Sequence, residues 1–502
     1  MSVKTWPIFL IILLVYLAAG IQFARLTPAW QAPDEPAHYN YVRALATDLR
    51  LPELVPGCYD QAYLDRLKAE RFPPDLPVDG ICYEFHQPPL YYLLAAPIYM
   101  VSDGALLAVR LFSVMLGAGV VALAFFVART IFPASPVIAY ATMAIVAFVP
   151  MHVAILGSVN NDALAELILA AILWLLVRRV MRTRFGSGLS IWPDVGLGLV
   201  LGLGLITKLT VYIAVPLIGL ALFFANDNRT RSGWPTILKQ AGIIYGAALI
   251  IAAPWYVRNA LLYGGFDIFG QGRHDAVVVG QLRTADYIGQ VGWPAYLGNF
   301  AATTFRSFWG QFGWMAVPMD RRTYQLLTIL SLVAVAGLIG FAISISRRPE
   351  AHSAADNPAP SQKNALLLLA IAVGLMAAGY GWYNLRFTQF QGRYLFPALI
   401  PLACLFALGL TQMLLPRWRW GLVVAVAGGL IWVAMTSLQS GGLDKWGVLI
   451  LGGLTVLLAA WAWFAPPWLL LPAGWVLGLL LVGLALLTLL SPTWFVVPYL
   501  SP

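Results

Sequence analysis

Apolar runs of about twenty residues recur along nearly the whole chain, and short polar segments separate them. Wound as an α-helix, a run of this length crosses a hydrocarbon core of roughly 30 Å. The strands of a membrane β-barrel would alternate apolar and polar residues, so the unbroken runs exclude that class. The pattern predicts an all-α polytopic membrane protein with about 13 transmembrane helices. The predicted spans are 6–23, 104–128, 136–156, 162–180, 192–207, 209–225, 238–255, 323–345, 364–383, 394–414, 420–438, 446–464 and 468–490.

Composition supports the same class. The chain has 502 residues, of which 60% are hydrophobic and 11% charged, and its mean hydropathy is +0.78. A soluble domain carries about 25% charged residues. The first run, Trp6 to Phe23, is too long for the core of a signal peptide and has no small-residue cleavage site after it. We therefore expect a retained first span, with Lys4 on the cytoplasmic side.

The net charge of +9 comes from bases in separate loops, which favours topology signals over nucleic-acid binding. Short arginine-rich loops fall on one predicted side of the membrane, as the positive-inside rule requires. If residues 88–101 formed a span, all of these loops would face outward. That segment has only about thirteen apolar residues after its prolines, so we expect an interfacial helix. The arginine-rich loops are 178–184, 226–231, 346–352 and 416–420.

This threading predicts a single membrane-embedded domain, 1–502, in a bacterial cytoplasmic membrane, with its C-terminus outside. Residues 27–103 form the first extracytoplasmic loop and 256–321 a second large one. Residues 347–363 are predicted to be a cytoplasmic linker, because they are rich in proline, serine and charge.

The first outer loop is acidic and contains two of the three cysteines. Cys58 and Cys82 both lie there, where an oxidising exterior permits a disulfide, and two free thiols are the alternative. Cys404 lies in an apolar run. Three cysteines at these spacings do not make a zinc site.

Two adjacent carboxylates, Asp34 and Glu35, open the first loop in the segment PDEPAHYNYVRAL. One interpretation is local: Asp34 caps the following helix, with Pro36 and Glu35 in its favourable first turn. The other is functional, because apolar surroundings at the end of a span raise a carboxylate's pKa toward that of a working base. His38 would lie one turn along the same face as Asp34. Both interpretations stay open here.

Further polar residues fall on the same predicted side of the membrane. Singly, each has a structural explanation, such as a helix cap for Asn161 or Asp162 and a snorkelling anchor for Lys208 or Arg393. Together, carboxylates and cations converge on one side while the predicted membrane interior holds almost no charge, which indicates a site. The residues are Asn160, Asn161, Asp162, Lys208, Arg258, Asn259, Arg306, Arg386, Gln391 and Arg393.

Seven segments between residue 1 and about 410 occur in a distinctive order. They are PDEPAHYNYVRAL, HQPPLYYLLAAP, RLFSVMLGAGVVALAFFVARTIF, NNDALAE, PWYVRNALLYG, FRSFWGQFGW and QGRYLFP. This series resembles the GT-C superfamily of membrane glycosyltransferases and, more narrowly, the DUF2142 membrane proteins within it. The resemblance implies a GT-C-like bundle with interfacial helices in the first outer loop. It also implies sugar transfer from a polyprenyl-phosphate carrier at the outer face.

The resemblance implies Asp34 as the catalytic base with Glu35 beside it, and Asp162 with Asn161 as a second acidic site. Such a reaction needs no general acid, because phosphate leaves as a stable anion; one base and cations for the departing charge suffice. Asp34, Glu35 and Asp162 also have the oxygen ligands that an optional divalent cation would use. The predicted phosphate-binding residues are Lys208, Arg258, Arg306 and Arg393. The other predicted pocket residues are His38, His86, Gln391 and Tyr394.

The sequence thus predicts an inverting glycosyltransferase that moves a hexose or pentose from a polyprenyl-phosphate carrier to a glycan, lipid or protein acceptor. One alternative is a lipid-linked glycan transporter or flippase, although neither midplane charges nor paired halves are evident. The other is a non-catalytic cell-envelope assembly protein that keeps the fold without the activity.

Overall fold

The computed structural model describes residues 6–182, 190–226, 233–347, 359–439, 444–464 and 473–501. Nearly all of these residues are helical or lie in short connections. The predicted linker 347–363 and the arginine-rich loops 226–231 and 346–352 lie mostly outside the described residues.

Helices alternate with short connections from end to end. Those as far as Trp309 are α1 (Trp6–Leu26), α2 (Glu35–Asp48), α3 (Gln61–Ala69), α4 (Leu90–Val101), α5 (Leu106–Ile131), α6 (Pro136–Phe148), α7 (Pro150–Leu156), α8 (Asp162–Met181), α9 (Trp192–Leu205), α10 (Ala214–Ala225), α11 (Gly233–Tyr263), α12 (Gln271–Val277), α13 (Thr284–Val291) and α14 (Trp293–Trp309). Those that follow are α15 (Arg321–Arg347), α16 (Pro360–Asn384), α17 (Leu399–Met413), α18 (Arg419–Gln439), α19 (Lys445–Phe464), α20 (Ala473–Ser491) and α21 (Val497–Leu500).

Short irregular elements connect several of these helices. Two-residue strands β1 (Gln311–Phe312) and β2 (Val317–Pro318) pair in an antiparallel manner just before α15. The 3-10 helices are Tyr83–His86, Leu209–Ile213, Gly392–Ala398 and Pro416–Trp418, and a π-helical turn covers Pro492–Val496.

Eight helices in the described part of the chain are long and apolar enough to cross a membrane, or nine if the bent pair α6–α7 is one span. This confirms a multi-pass helical membrane protein, whereas the predicted count of thirteen is not confirmed. The remaining predicted spans correspond to shorter apolar helices or, for α8, to a helix with charged residues near both ends.

The segment predicted to be interfacial forms α4. Its 12 residues extend about 18 Å at 1.5 Å per residue, which is too short for a hydrocarbon core of roughly 30 Å. The helix therefore has the length expected of a non-spanning element.

The third predicted span is broken at Val149, where α6 and α7 meet at an angle of 62°. Pro150 has no N–H to donate and holds Val149 in an extended conformation. His152 Nδ1 lies 2.8 Å from the carbonyl oxygen of Val146, and its Nε2 lies 2.7 Å from Glu166 Oε2. A buried pair of ionisable groups thus lies among helices that we expected to hold almost no charge.

Close helix contacts depend on glycine at two places. A Cβ on Gly117 of α5 would overlap the Tyr16 hydroxyl of α1, and a Cβ on Gly409 of α17 would overlap the carbonyl oxygen of Ala334 in α15. In membranes, small residues let helix backbones approach closely, and van der Waals packing stabilises the association. Helix α5 therefore packs closely against α1, and α17 packs closely against α15.

The predicted outer segments interlock at one end of the bundle. Trp314 Nε1 donates to the Trp30 carbonyl at 2.9 Å, which joins the second loop to the first. Arg71 Nη1 donates to the Ser501 carbonyl at 2.7 Å, so the last described residues reach the same end. These contacts bring the first loop, the second loop and the last described residues together.

Candidate active site

Asp34 lies in the turn between α1 and α2, just before the first helical residue of α2. Its backbone is left-handed, with φ of 66°, a conformation that costs a non-glycine residue about 1 kcal/mol or more. The carboxylate makes no capping hydrogen bond. Instead, Oδ2 accepts a hydrogen bond from Arg393 Nη2 at 2.6 Å and Oδ1 accepts one from the Tyr83 hydroxyl at 2.9 Å. The helix-cap interpretation therefore does not account for this side chain.

The ion pair between Asp34 and Arg393 joins a buried arginine, whose side chain is 5% exposed, to a carboxylate that is 25% exposed. Burial pushes the pKa of Asp34 up, but the charge and hydrogen bond of Arg393 outweigh it, and the pKa lies below its ordinary value. Asp34 is thus ionised at neutral pH. Gln391 Oε1 accepts from Arg393 Nε at 2.7 Å, and the Tyr394 ring lies 5.4 Å from the guanidinium carbon. Arg393 is a fixed, buried cation and not a snorkelling anchor.

Glu35 points away from Asp34 and is fully buried. Its two oxygens accept hydrogen bonds from Arg110 Nε at 2.7 Å and Arg110 Nη2 at 2.6 Å. The backbone N–H groups of Trp30 and Val159 also donate to it, each at 3.2 Å. Arg110 in turn donates to the carbonyl oxygen of Thr27 at the end of α1. Both oxygens of Glu35 are thus hydrogen-bonded to groups near the end of α1, in α5 and just before α8, so this carboxylate joins these helices. Its catalytic role stays a prediction.

Asp162 and Lys208, predicted as separate site residues, form an ion pair with 2.7 Å between Oδ1 and Nζ. Asp162 is the first residue of α8, and Lys208 precedes the 3-10 helix Leu209–Ile213. Asn161 donates from Nδ2 toward the Thr207 carbonyl oxygen at 3.4 Å, while its buried Oδ1 has no hydrogen-bond partner in the described part of the chain. Lys208 therefore holds a carboxylate and does not extend freely toward the membrane surface.

The two predicted pocket histidines are neutral and held by neighbours. His38 Nδ1 lies 2.8 Å from the Tyr92 hydroxyl, and burial followed by the charge of Lys208 lowers the pKa of His38 to about 3. His86 Nδ1 lies 3.0 Å from the Tyr83 carbonyl oxygen. Burial, followed by the nearby imidazole of His274, lowers the pKa of His86 to about 3. Both imidazoles serve as hydrogen-bonding groups and not as cations.

Two predicted phosphate-binding arginines lie elsewhere. Arg258 donates to the Pro52 carbonyl oxygen at 2.6 Å and stacks over the Trp255 ring, so it fastens the first loop to α11. Arg306 lies over the ring of Tyr324. Neither lines the cavity described next, so their role as phosphate ligands stays a prediction.

A cavity of about 350 Å³ opens beside Asp34. Its wall combines the first loop with the segment after α16, so residues far apart in the chain face one space. The lining includes Lys68, whose Nζ lies 5.6 Å from the centre of the Trp314 ring and 2.5 Å from Asp65 Oδ1. The charged or predicted residues in the wall are Asp34, Lys68, Glu84, Gln391, Arg393 and Tyr394.

Glu84 is a wall residue that we did not predict. It lies in the 3-10 helix Tyr83–His86, and its buried Oε2 has no hydrogen-bond partner among the residues that the structure describes. Burial, followed by the negative charge of Asp34, raises the pKa of Glu84 from 4.5 to about 7. Unlike Asp34, Glu84 keeps one carboxyl oxygen without a hydrogen-bond partner among the described residues.

A disulfide fixes the segment that carries these groups. Cys58 and Cys82 are bonded, and the Cys82 N–H donates to the Cys58 carbonyl oxygen at 3.0 Å. Cys82 directly precedes Tyr83 and Glu84, so the crosslink anchors their backbone. Cys404 is free and buried in α17.

The predicted cation ligands do not fit a metal ion together. Glu35 is bound by Arg110, Asp34 by Arg393 and Asp162 by Lys208. Among the described residues, no three side chains of histidine, cysteine, aspartate or glutamate are grouped to hold a metal. Asp34, Glu35 and Asp162 therefore do not form a shared cation site in the described part of the chain.

Comparisons with known proteins agree with this architecture. Residues 86–257 match the family model described as dolichyl-phosphate-mannose-protein mannosyltransferase. Among solved structures, the chain is similar to ArnT from Cupriavidus metallidurans bound to undecaprenyl phosphate, with a TM-score of 0.53 and 14% identity over 98% of this chain and 78% of that one. No curated protein matches the chain in sequence.

An oligosaccharyltransferase from Archaeoglobus fulgidus, tethered to an acceptor peptide, is also similar, with a TM-score of 0.50 and 14% identity. The match covers 95% of this chain but 55% of the archaeal enzyme. This chain has the GT-C fold. The fold that the GT-C resemblance predicted is thus confirmed, while the narrower DUF2142 resemblance stays a prediction.

Three residues in or near this region were not predicted from the sequence: Glu84 and Tyr83 in the cavity wall, and Arg110, which binds Glu35. Arg110 carried a usable signal, because a lone arginine in an apolar run needs a buried partner. Glu84 and Tyr83 carried none that separates them from the other acids and tyrosines of the first loop. Their placement follows from the disulfide and the chain path around it.

Proposed function

We propose that this chain is an inverting glycosyltransferase that moves a sugar from a polyprenyl-phosphate carrier to an acceptor hydroxyl at the extracytoplasmic side of the membrane. The observation that carries the proposal is the ion pair between the half-buried Asp34 and the buried Arg393 in the wall of the cavity. It joins a carboxylate of the first loop to a cation 359 residues later in the chain. The GT-C fold supports the proposal, since the similar ArnT was solved bound to undecaprenyl phosphate.

The chemistry needs two functions that the cavity wall supplies. Arg393 and Lys68 are cations that face the cavity, where a phosphate leaving group gains from fixed positive charge. A carboxylate in the same wall takes the proton of the acceptor hydroxyl. Asp34 is the base predicted from the sequence, and Glu84 is a second candidate. Direct attack without a covalent intermediate inverts the configuration of the sugar.

Asp162 and Lys208 lie close enough to His38 to influence its pKa, and Lys208 also influences the pKa of Glu84. We propose that this second ion pair sets the potential behind the cavity. Glycan, lipid and protein acceptors all present hydroxyl groups and stay open.

Transfer from radiolabelled undecaprenyl-phosphate sugars to a membrane extract tests the proposal. Purified chain in liposomes is offered a panel of hexose, pentose and amino-sugar donors. Replacing Arg393 by glutamine should lower the rate about 10²–10³-fold, the usual loss for one group that stabilises developing charge. Arg386→Gln is the matched control, because Arg386 is exposed and stacks on Trp382. Equal activity of both variants, or donor flux across the liposome without transfer, would contradict the proposal.

A further inference from the structure

Two carboxyl groups face the cavity, and their hydrogen bonding differs. Both oxygens of Asp34 are engaged, one by Arg393 at 2.6 Å and the other by Tyr83 at 2.9 Å. Glu84 lines the same cavity, and its Oε2 is buried without a partner in the described part of the protein. An unpartnered buried carboxyl oxygen is costly unless a ligand hydroxyl completes it. The free oxygen of Glu84 therefore points to an acceptor group that the cavity receives.

Asp34 and Glu84 also differ in how readily each binds a proton. The ion pair with Arg393 keeps the pKa of Asp34 below its ordinary value, so Asp34 holds a proton poorly. Burial and the charge of Asp34 raise the pKa of Glu84 to about 7. A general base works best when its pKa lies near the working pH.

We infer that Glu84 is the catalytic base of this site, and that Asp34 is a positioning residue that holds Arg393 and Tyr83. The inference rests on the proposed function. The acceptor O–H gives its proton to Glu84 Oε2 as the acceptor oxygen bonds to the anomeric carbon. The bond from that carbon to the phosphate oxygen breaks, and its electron pair leaves with the phosphate, whose charge Arg393 balances.

The surroundings of Glu84 support this division of roles. Asp34 disfavours its ionised form, whereas Lys208, a hydrogen bond from the Gln87 side chain and Arg393 favour it. These opposing influences keep the group able to change protonation state. The adjacent Tyr83 stays protonated, because burial and the charge of Asp34 raise its pKa well above the usual value. Tyrosines complete the set of titratable neighbours. They are Tyr83, Tyr92 and Tyr383.

The pH dependence of transfer by purified protein in liposomes tests the assignment, with the donor panel of undecaprenyl-phosphate sugars as probe. For the wild type, kcat/KM should rise with pH and level off above about 7, as Glu84 loses its proton. Glu84→Gln should lower kcat/KM about 10²–10⁴-fold and leave a residual rate without that rise. Glu84→Asp should restore part of the rate.

Asp34→Asn gives the discriminating result. It should lower the rate but keep the rise, with its midpoint moved to lower pH, because the charge that raises the pKa of Glu84 is gone. Glu53→Gln, an exposed carboxyl of the same loop, should match the wild type. Loss of the rise in Asp34→Asn and its retention in Glu84→Gln would overturn the inference and return the base to Asp34.

A second readout does not depend on turnover. Hydrophobic carbodiimides react with protonated carboxyl groups, so peptide mapping should find Glu84 labelled at pH 6 and progressively less above pH 7. Absence of label on Glu84 in folded protein would overturn the inference. A wild type that labels Glu84 yet transfers no sugar from any donor would instead refute the proposed function.

Discussion

Asp34 and Glu35 are adjacent in the chain, yet each is bound to a different arginine. Arg393 binds Asp34 at the cavity wall, and Arg110 binds Glu35 deep among the helices. A buried ion pair is strongly destabilising when one partner is removed, because the other charge stays buried without compensation. The two carboxylates therefore have separable roles.

Replacing Glu35 by glutamine should lower the free energy of unfolding by about 3–5 kcal/mol, since Arg110 keeps its charge in a buried setting. Unfolding of the purified protein in mixed micelles, titrated with SDS, measures the effect. The matched control is Asp79→Asn, which breaks the solvent-exposed pair with Arg43 and should cost no more than about 1 kcal/mol. Equal losses in the two variants would show that the Glu35 pair is not the structural contact that we describe.

The protonation of Glu84 should also affect stability. Because folding raises its pKa from 4.5 to about 7, ionised Glu84 is disfavoured in the folded protein. The free energy of unfolding therefore falls as the pH rises from 4.5 through 7. Glu84→Gln should melt at a higher temperature than the wild type above pH 7, with Glu53→Gln as the control. Identical pH profiles for the wild type and Glu84→Gln would contradict the raised pKa.

At the scale of elements, the N-terminal loop and the helices differ in how well sequence predicts them. Long apolar runs predicted the helices, because a membrane leaves few options for the backbone. The break at Val149 was not predicted, because a proline inside an apolar run, such as Pro150, is often tolerated in a membrane helix.

Among the predicted site residues, Asp34, Gln391, Arg393 and Tyr394 face the cavity. Glu35, Arg258 and Arg306 do not, because each found a partner that local sequence cannot reveal.

Close contact between α15 and α17 gives a test at this scale. Gly409→Ala places a methyl group against the Ala334 carbonyl oxygen and should destabilise the protein by about 1–3 kcal/mol through overpacking. Gly428→Ala in α18 is the matched control, because a Cβ there meets nothing within 4 Å. SDS unfolding of both variants measures the difference. A Gly409→Ala variant as stable as Gly428→Ala would show that the two backbones do not touch.

At the scale of the whole molecule, the predicted outer segments meet at one end of the bundle. The contact between Arg71 and Ser501 ties the first loop to the last described residues, which requires both to lie on one side of the membrane. Charge distribution predicts that this side is external. The orientation of the protein in the membrane is predicted from the arginine-rich loops, because the fold alone does not determine it.

Cysteine labelling should show which end of the helices faces the cell exterior and which faces the cytoplasm. Phe266→Cys lies in the second large loop, where Phe266 is fully exposed, and should react with an impermeant maleimide in intact cells. Lys363→Cys, exposed at the opposite end near the start of α16, should react only after the cells are permeabilised. The opposite pattern would invert the topology and place the cavity in the cytoplasm.

A cryo-electron microscopy structure of the protein with undecaprenyl phosphate tests the central claim most directly. Phosphate density should lie in the cavity between Asp34 and Glu84, within about 3 Å of the Arg393 guanidinium, the distance of a charge-assisted hydrogen bond. The isoprenoid chain should run from there into the bilayer. Phosphate bound at the opposite end of the helices, with the Asp34–Arg393 cavity unchanged and solvent-filled, would contradict the account.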